Sequence, residues 1–337
     1  MQETTLLVLT PAALQRQLAG VILSRVMFRG KMELEAAQLV KFSTDDAAEF
    51  GAAMPSLNLS DMTAEPAAML CLLKGENAID TLADLLKNIE GCFGCKLAAA
   101  PATADENKAA MAATARIAAR DNLLTAAPAA GAERTLLIIK PENFRQPSVR
   151  PGAIIDMLSS LDLQLVGCKV HGMTTNEALE FYGPVRQALR SKLGPEIGAK
   201  ILDLTEKEFD FKFQPELADT LVETAGNGFA DDQFEQIVEF MSGKRPSAVP
   251  ESERDLPGGA KCMVLIFDGI DAVSKIRTIL GPTNPAKATG GTVRYDFGTN
   301  IMVNASHASD AIESYEREGR IVKVNVNNLS NLAAALA

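Results

Sequence analysis

Thr135-Leu136-Leu137-Ile138-Ile139-Lys140-Pro141 answers Thr5-Leu6-Leu7-Val8-Leu9-Thr10-Pro11 near the start of the chain. Each is a short apolar run closed by proline, the pattern of a buried strand that stops where a backbone N–H is missing. The echo extends outward from this stretch. Ala19-Gly20-Val21-Ile22 corresponds to Pro151-Gly152-Ala153-Ile154-Ile155, each opening a helical period, and residues 163–170 alternate like a second strand. Residues 69–87 parallel 263–281, with Lys74-Gly75-Glu76-Asn77-Ala78 answering Asp268-Gly269-Ile270-Asp271-Ala272.

The order strand, helix, strand, then strand, helix predicts an α+β fold. Its simplest form is a ferredoxin-like βαββαβ sandwich, with helices on one face of an antiparallel sheet, used twice in tandem. The length agrees, since 337 residues exceed the size at which one core stops growing, about 250–300 residues. We expect a first domain at 1–124, a linker at 125–133 in an Ala-rich stretch with Pro128 and Gly131, and a second domain at 134–330. The second copy is longer. Helical signals, with turns read at Gly194-Pro195 and Gly226-Asn227-Gly228, predict a helical insertion at 190–233, and a Pro- and Glu-rich loop follows at 244–259.

With 47% hydrophobic and 23% charged residues, the composition is that of an ordinary globular protein. The opening residues carry no positive charge and their apolar run breaks at Thr10-Pro11, which does not read as a signal peptide. No stretch is long enough to span a bilayer. Five scattered cysteines, an odd number, argue against a disulfide framework, and a cytoplasmic location is expected. A net charge of −10 and a pI near 4.9 repel polyanions, so neither nucleic acid nor membrane is an expected partner. Any phosphate ligand must be held by locally placed Lys, Arg or helix N-termini.

Only two histidines occur, His171 and His307. His171 ends an alternating stretch and reads as a strand-end surface residue. His307 lies in Asn304-Ala305-Ser306-His307-Ala308-Ser309-Asp310, before a helix expected at 311–319, with Asp310 read as N-cap and Glu313 completing a capping box. That junction sets an imidazole where backbone N–H groups can face a phosphate. Cys92-Phe93-Gly94-Cys95 is a lone C-x-x-C without partner cysteines or a nearby histidine, and we assign it no metal or redox role.

Upstream runs Leu280-Gly281-Pro282-Thr283-Asn284-Pro285-Ala286-Lys287-Ala288-Thr289-Gly290-Gly291-Thr292-Val293-Arg294-Tyr295-Asp296-Phe297, and downstream Ser314-Tyr315-Glu316-Arg317-Glu318. Together with the histidine segment these closely resemble the nucleoside diphosphate kinase family. Its pattern G-x-T-N-P-x(n)-G-T-[IV]-R-x-D-F, then N-x-x-H-[GA]-S-D and a helix ending in glutamate, is met in order and spacing. The opening strand ending in Lys-Pro also matches. The resemblance covers 134–182 and 234–322.

The resemblance implies that His307 is the nucleophile that becomes phosphohistidine and that Glu318 holds its other ring nitrogen. It gives Lys140, Arg277 and Arg294 to the phosphates, Thr283 and Asn304 to phosphate and sugar, Tyr182 to a place near that lysine, and Ser309 to the support of Glu318. Magnesium would arrive on the nucleotide, so no protein metal ligands are implied. Partners would be nucleoside triphosphates and diphosphates, in a homo-oligomer. The alternative is a catalytically weak nucleotide-binding or scaffolding pseudoenzyme of the same fold.

Departures are specific. The family's phosphate-binding arginine and base-stacking phenylalanine, which follow the tyrosine, meet Asp231 and Gln233 here. Arg186 or Arg190 is the available substitute, and Ile237 the one nearby apolar residue. In the first copy Thr10 replaces the lysine, Ala83 aligns with Arg277, and aligning Asn107-Lys108-Ala109-Ala110 with 304–307 puts Ala110 at the nucleophile. That copy is read as degenerate, keeping the fold and supplying an interface in place of one partner of a family-type dimer.

Overall fold

The computed structural model of the chain describes residues 1–55, 62–64, 66–120, 124 and 126–337; Thr125, where the expected linker begins, lies outside the described residues. Its strands form two four-stranded antiparallel sheets. In the first, β1 (Gln2–Leu9), β2 (Glu33–Val40), β3 (Ala68–Glu76) and β4 (Ala98–Ala99) lie in the order β2-β3-β1-β4. In the second, β5 (Glu133–Ile139), β6 (Gln164–His171), β7 (Cys262–Gly269) and β8 (Ser306–Ala308) lie in the order β6-β7-β5-β8. Helices Ala19–Arg29 and Ala78–Phe93 join strands of the first sheet as Arg150–Ser159 and Ala272–Leu280 do in the second.

The two sheets share their details. Leu9 faces Met69 as Ile139 faces Met263. A register shift interrupts β2 between Leu34 and Ala36, and another interrupts β6 between Leu165 and Gly167. Asn77 and Asp271, left-handed at φ 45° and 53°, each open the helix that follows. Glu3 accepts from the Ile79 N–H and Glu133 from the Val273 N–H, so both helices start under a carboxylate that their dipole favours.

Central strands β1 and β5 are apolar on consecutive residues because both faces are covered: Leu6 to Leu9 and Leu136 to Ile139 are all fully buried. The first sheet departs from the expected single helical layer. One face packs Leu7 and Leu9 with Ile22, Leu23, Val26 and Leu82, while the other packs Leu6 and Val8 with Phe50, Met111, Ile117, Leu329 and Ala333. The C-terminal helix Leu329–Leu336 thus sits in the core of the N-terminal half, through apolar positions that sequence alone did not tie to any sheet.

Compact units do not divide where the linker was expected. One unit is Met1–His171 with Cys262–Ala337 and contains both sheets; the other is Gly172–Lys261. The reason is a shared core, in which Leu7 and Leu137 belong to one apolar cluster. Helices Ala19–Arg29 and Arg150–Ser159 cross at Gly20 and Gly152. A Cβ on Gly20 would come within 2.4 Å of the Asp156 nitrogen and one on Gly152 within 2.4 Å of the Ser24 nitrogen, so only glycine permits this approach.

Unit Gly172–Lys261 is helical, built on Gly183–Phe209 and Asn227–Ser242. The turns read at Gly194-Pro195 and Gly226-Asn227-Gly228 are not turns. Pro195 lies inside the first helix, and a Cβ on Gly226 would meet the Gly194 carbonyl oxygen at 2.3 Å. These glycines are contact points between packed helices. The unit starts with a capping box in which the Thr174 hydroxyl accepts from the Glu177 N–H and the Glu177 carboxylate accepts from the Thr174 N–H.

Candidate active site

β8 is only three residues long, with His307 opposite Ile138. Strand alternation buries Ser306 and Ala308 and leaves His307 partly exposed. Its Nε2 lies 3.0 Å from Glu318 Oε2, on the helix Ile312–Ile321. The Ser309 hydroxyl donates to the same carboxylate oxygen at 2.8 Å, and Arg317 donates to the other at 3.3 Å. Glu318 is 4% exposed, so its carboxylate is satisfied by these groups rather than by water. An ionised carboxylate only accepts, so the neutral ring that fits this contact carries its proton on Nε2 and its lone pair on Nδ1.

The expected capping box is absent. Ala311 is the N-cap residue, and the Asp310 carboxylate instead accepts from the Ser314 hydroxyl. That hydrogen bond, with the charge of Arg277, holds Asp310 below the usual carboxylate range.

Lys140 follows β5 and is 8% exposed. Its ammonium donates to Asn304 Oδ1 at 2.7 Å and to the Met302 carbonyl at 3.1 Å. Burial pushes it down to about 8, Glu142 working against the shift and Arg294 adding to it. The Asn304 amide donates to the carbonyls of Thr283 and Ile301, tying Thr283 to the same loop. Arg294 donates to the Gly281 and Ser306 carbonyls, and burial together with the Arg277 charge lowers its pKa. Arg277 is exposed in the last turn of its helix, on a cavity of about 800 Å³ that Gly281, Asp310 and Ala311 also line. Seven of the expected residues thus surround His307 or the loop beside it. Tyr182 belongs to the helical unit, where it is buried against Phe181.

Sequence reading missed Glu142, Asn143 and Arg150. Ala305 is left-handed, φ 70°, a conformation that costs a residue with a Cβ about 1–2 kcal/mol. Three bonds hold it there: its N–H donates to Glu142 Oε1 at 2.8 Å, and its carbonyl accepts from the Lys140 N–H and the Asn143 amide. Asn143 in turn accepts from Arg150, whose guanidinium lies over Phe297. The only hint in sequence was that Glu142 and Asn143 follow Lys140 closely.

Arg186 and Arg190 are both committed elsewhere, each forming a two-pronged pair with Asp231, and they hold that carboxyl far below its usual range. In the N-terminal half, register corrects the alignment. Ala99 faces Val8 as His307 faces Ile138, so Ala99 occupies the histidine position, whereas Ala110 is buried in the helix Ala104–Arg120. Thr10, at the lysine position, caps the helix Pro11–Gln15 and donates to the Leu97 carbonyl. Cys95 accepts from Arg16, and Cys92 is exposed. Among the described residues no three His, Cys, Asp or Glu form a metal-binding group, and no helix is long and apolar enough to cross a membrane.

Residues 251–324 match the sequence model of the family described as nucleoside diphosphate kinase. The chain is 27% identical over 186 residues to the nucleoside diphosphate kinase of Halorhodospira halophila (strain DSM 244 / SL1), an alignment covering 55% of this chain and 89% of the relative. Among solved structures it is similar to the apo cubic form of the Encephalitozoon cuniculi nucleoside diphosphate kinase, at 20% identity and a TM-score of 0.37, covering 58% of this chain and 91% of that one. It is also similar to an NDP kinase from Pyrobaculum aerophilum, at 23% identity and a TM-score of 0.37, covering 58% and 100%.

Proposed function

We propose that this chain, whose residues 251–324 match the nucleoside diphosphate kinase family model, passes the terminal phosphate of a nucleoside triphosphate to a nucleoside diphosphate through His307. The observation that carries this reading is the Glu318–His307 pair, with Ser309 on the same carboxylate oxygen. A fixed ring with Nε2 protonated presents Nδ1 for attack.

On this reading Nδ1 attacks the γ-phosphorus, the bond to the bridging oxygen breaks, and the diphosphate leaves. A second diphosphate then attacks the phosphorus with its β-phosphate oxygen, the P–N bond breaks, and a new triphosphate departs. Arg294 and Arg277 spread the charge of the transferring group and Lys140 neutralises it further. Asn304 and Thr283 fix phosphate and sugar. Magnesium arriving with the nucleotide would neutralise part of the phosphate charge.

The N-terminal half is, on the same reading, a degenerate copy of one ferredoxin-like βαββαβ unit. Equal strand order, equal register shifts and the paired Glu3 and Glu133 contacts support the duplication. Its packing on the C-terminal half stands in for a family-type dimer, and the whole chain would assemble further as a cytoplasmic homo-oligomer.

Incubation with γ-labelled ATP and magnesium should leave alkali-stable label on the protein but not on His307→Ala, and unlabelled GDP should discharge it into GTP. A second reading, a nucleotide-binding protein without turnover, is favoured by the engagement of Arg186 and Arg190 with Asp231. Tight ATP binding with no label would select it.

A further inference from the structure

Lys169 lies on β6 and is 7% exposed. Its ammonium donates to three backbone carbonyls, Val322 at 3.0 Å, Lys323 at 3.2 Å and Val326 at 2.7 Å. These carbonyls belong to the turn that follows the helix Ile312–Ile321, just past the end at which the helix dipole favours a cation. Lys323 there is left-handed, φ 50°, and the Val324 N–H closes back onto the Gly319 carbonyl, a Schellman-like stop made without glycine. Glu318 belongs to this last turn, and its own carbonyl accepts from the Val322 N–H.

The grip continues into the N-terminal half. Just beyond Val326, the Asn327 amide donates to the Ala37 carbonyl of β2 and to the Cys168 carbonyl of β6, both at 3.0 Å. Ser330 then donates to the Ala115 carbonyl, and Leu329 and Ala333 enter the core of the N-terminal half. A continuous path runs from the carboxylate on His307 through one helix end to the first sheet.

We propose that Lys169 is a positioning residue for Glu318. Together with Asn327 and the C-terminal helix, it makes the N-terminal half the anchor that keeps the His307 ring in one tautomer and one orientation. This rests on the phosphohistidine reading for its kinetic consequence, but the state of the ring can be observed without turnover.

The test uses full-length protein in a His171→Gln background, so that His307 gives the only imidazole signals. Nitrogen NMR of the ring should show one Nε2-protonated form in the parent. Lys169→Met should mix the tautomers and lower kcat about tenfold or more with KM nearly unchanged, the signature of a misplaced catalytic group. Lys169→Arg, which keeps a cation over the carbonyls, should restore most of both. If Lys169→Met does not fold, Asn327→Leu, which removes the two donors between the halves, decides by the same readings. A folded Lys169→Met or Asn327→Leu with the parent ring spectrum and parent kcat would overturn the proposal. A parent that never forms phosphohistidine would remove the kinase reading, and the ring spectra alone would then decide the positioning role.

Discussion

Glu318 Oε2 receives two hydrogen bonds, from His307 Nε2 at 3.0 Å and from the Ser309 hydroxyl at 2.8 Å. The ring orientation therefore depends first on the carboxylate and only then on the hydroxyl. Glu318→Gln exchanges an acceptor for an amide that can turn either way, so the tautomer is no longer dictated. We expect His307 phosphorylation by ATP to slow about 10–100-fold in a rapid-mixing experiment. Ser309→Ala removes one supporting hydrogen bond and should slow it by about tenfold at most. A larger loss from Ser309→Ala than from Glu318→Gln would refute this order of dependence.

Lys140 gives opposite pH trends for stability and for phosphate binding. Burial lowers it in the folded chain to about 8 from the ordinary 10.5. Below 8 both folded and unfolded chains carry the proton and the burial cost is fully present. Between 8 and 10.5 the unfolded chain alone keeps it, so this group makes stability rise with pH. Binding runs the other way, because a neutral amine attracts phosphate weakly. KM for ATP should rise as pH passes 8, and Lys140→Arg, charged throughout, should flatten that rise.

The Gly20 and Gly152 crossing should tolerate no Cβ. Gly20→Ala or Gly152→Ala should lower stability by about 1–3 kcal/mol in urea unfolding, since backbone rather than a flexible side chain blocks the space. Gly91 is the contrast: it lies in the helix Ala78–Phe93, and a Cβ there would meet nothing within 4 Å. Gly91→Ala should add about 0.5–1 kcal/mol.

Ala99 holds the position of His307 in the first sheet, yet Ala99→His should not revive that half. Thr10 stands at the lysine position with its hydroxyl on the Leu97 carbonyl, and Ala83 stands in place of Arg277. In a His307→Ala background, Ala99→His should take no label from ATP. Label at Ala99→His would mean that a histidine on this strand suffices without the surrounding cations.

Sequence by itself determined what depends on neighbours along the chain. The proline-closed runs at 5–11 and 135–141 fixed the central strands, because continuous burial on both faces demands continuous apolar residues. The His307, Ser309 and Glu318 spacing was legible because all three lie in one local stretch, His307 on a short strand, Glu318 on the next helix and Ser309 between them. Tertiary structure alone decided the rest. Glu142 reaches Ala305 across 163 positions and Lys169 reaches Val322 across 153, contacts that exist only once antiparallel register brings distant strands together. Ala99 rather than Ala110 took the histidine position for the same reason, since two alanines are indistinguishable by composition, and only the fold puts Ala99 opposite Val8 of β1 and Ala110 on a helix. The glycines at 194 and 226 read as turns because their freedom of backbone is visible in sequence; the helix that each one lets approach is not.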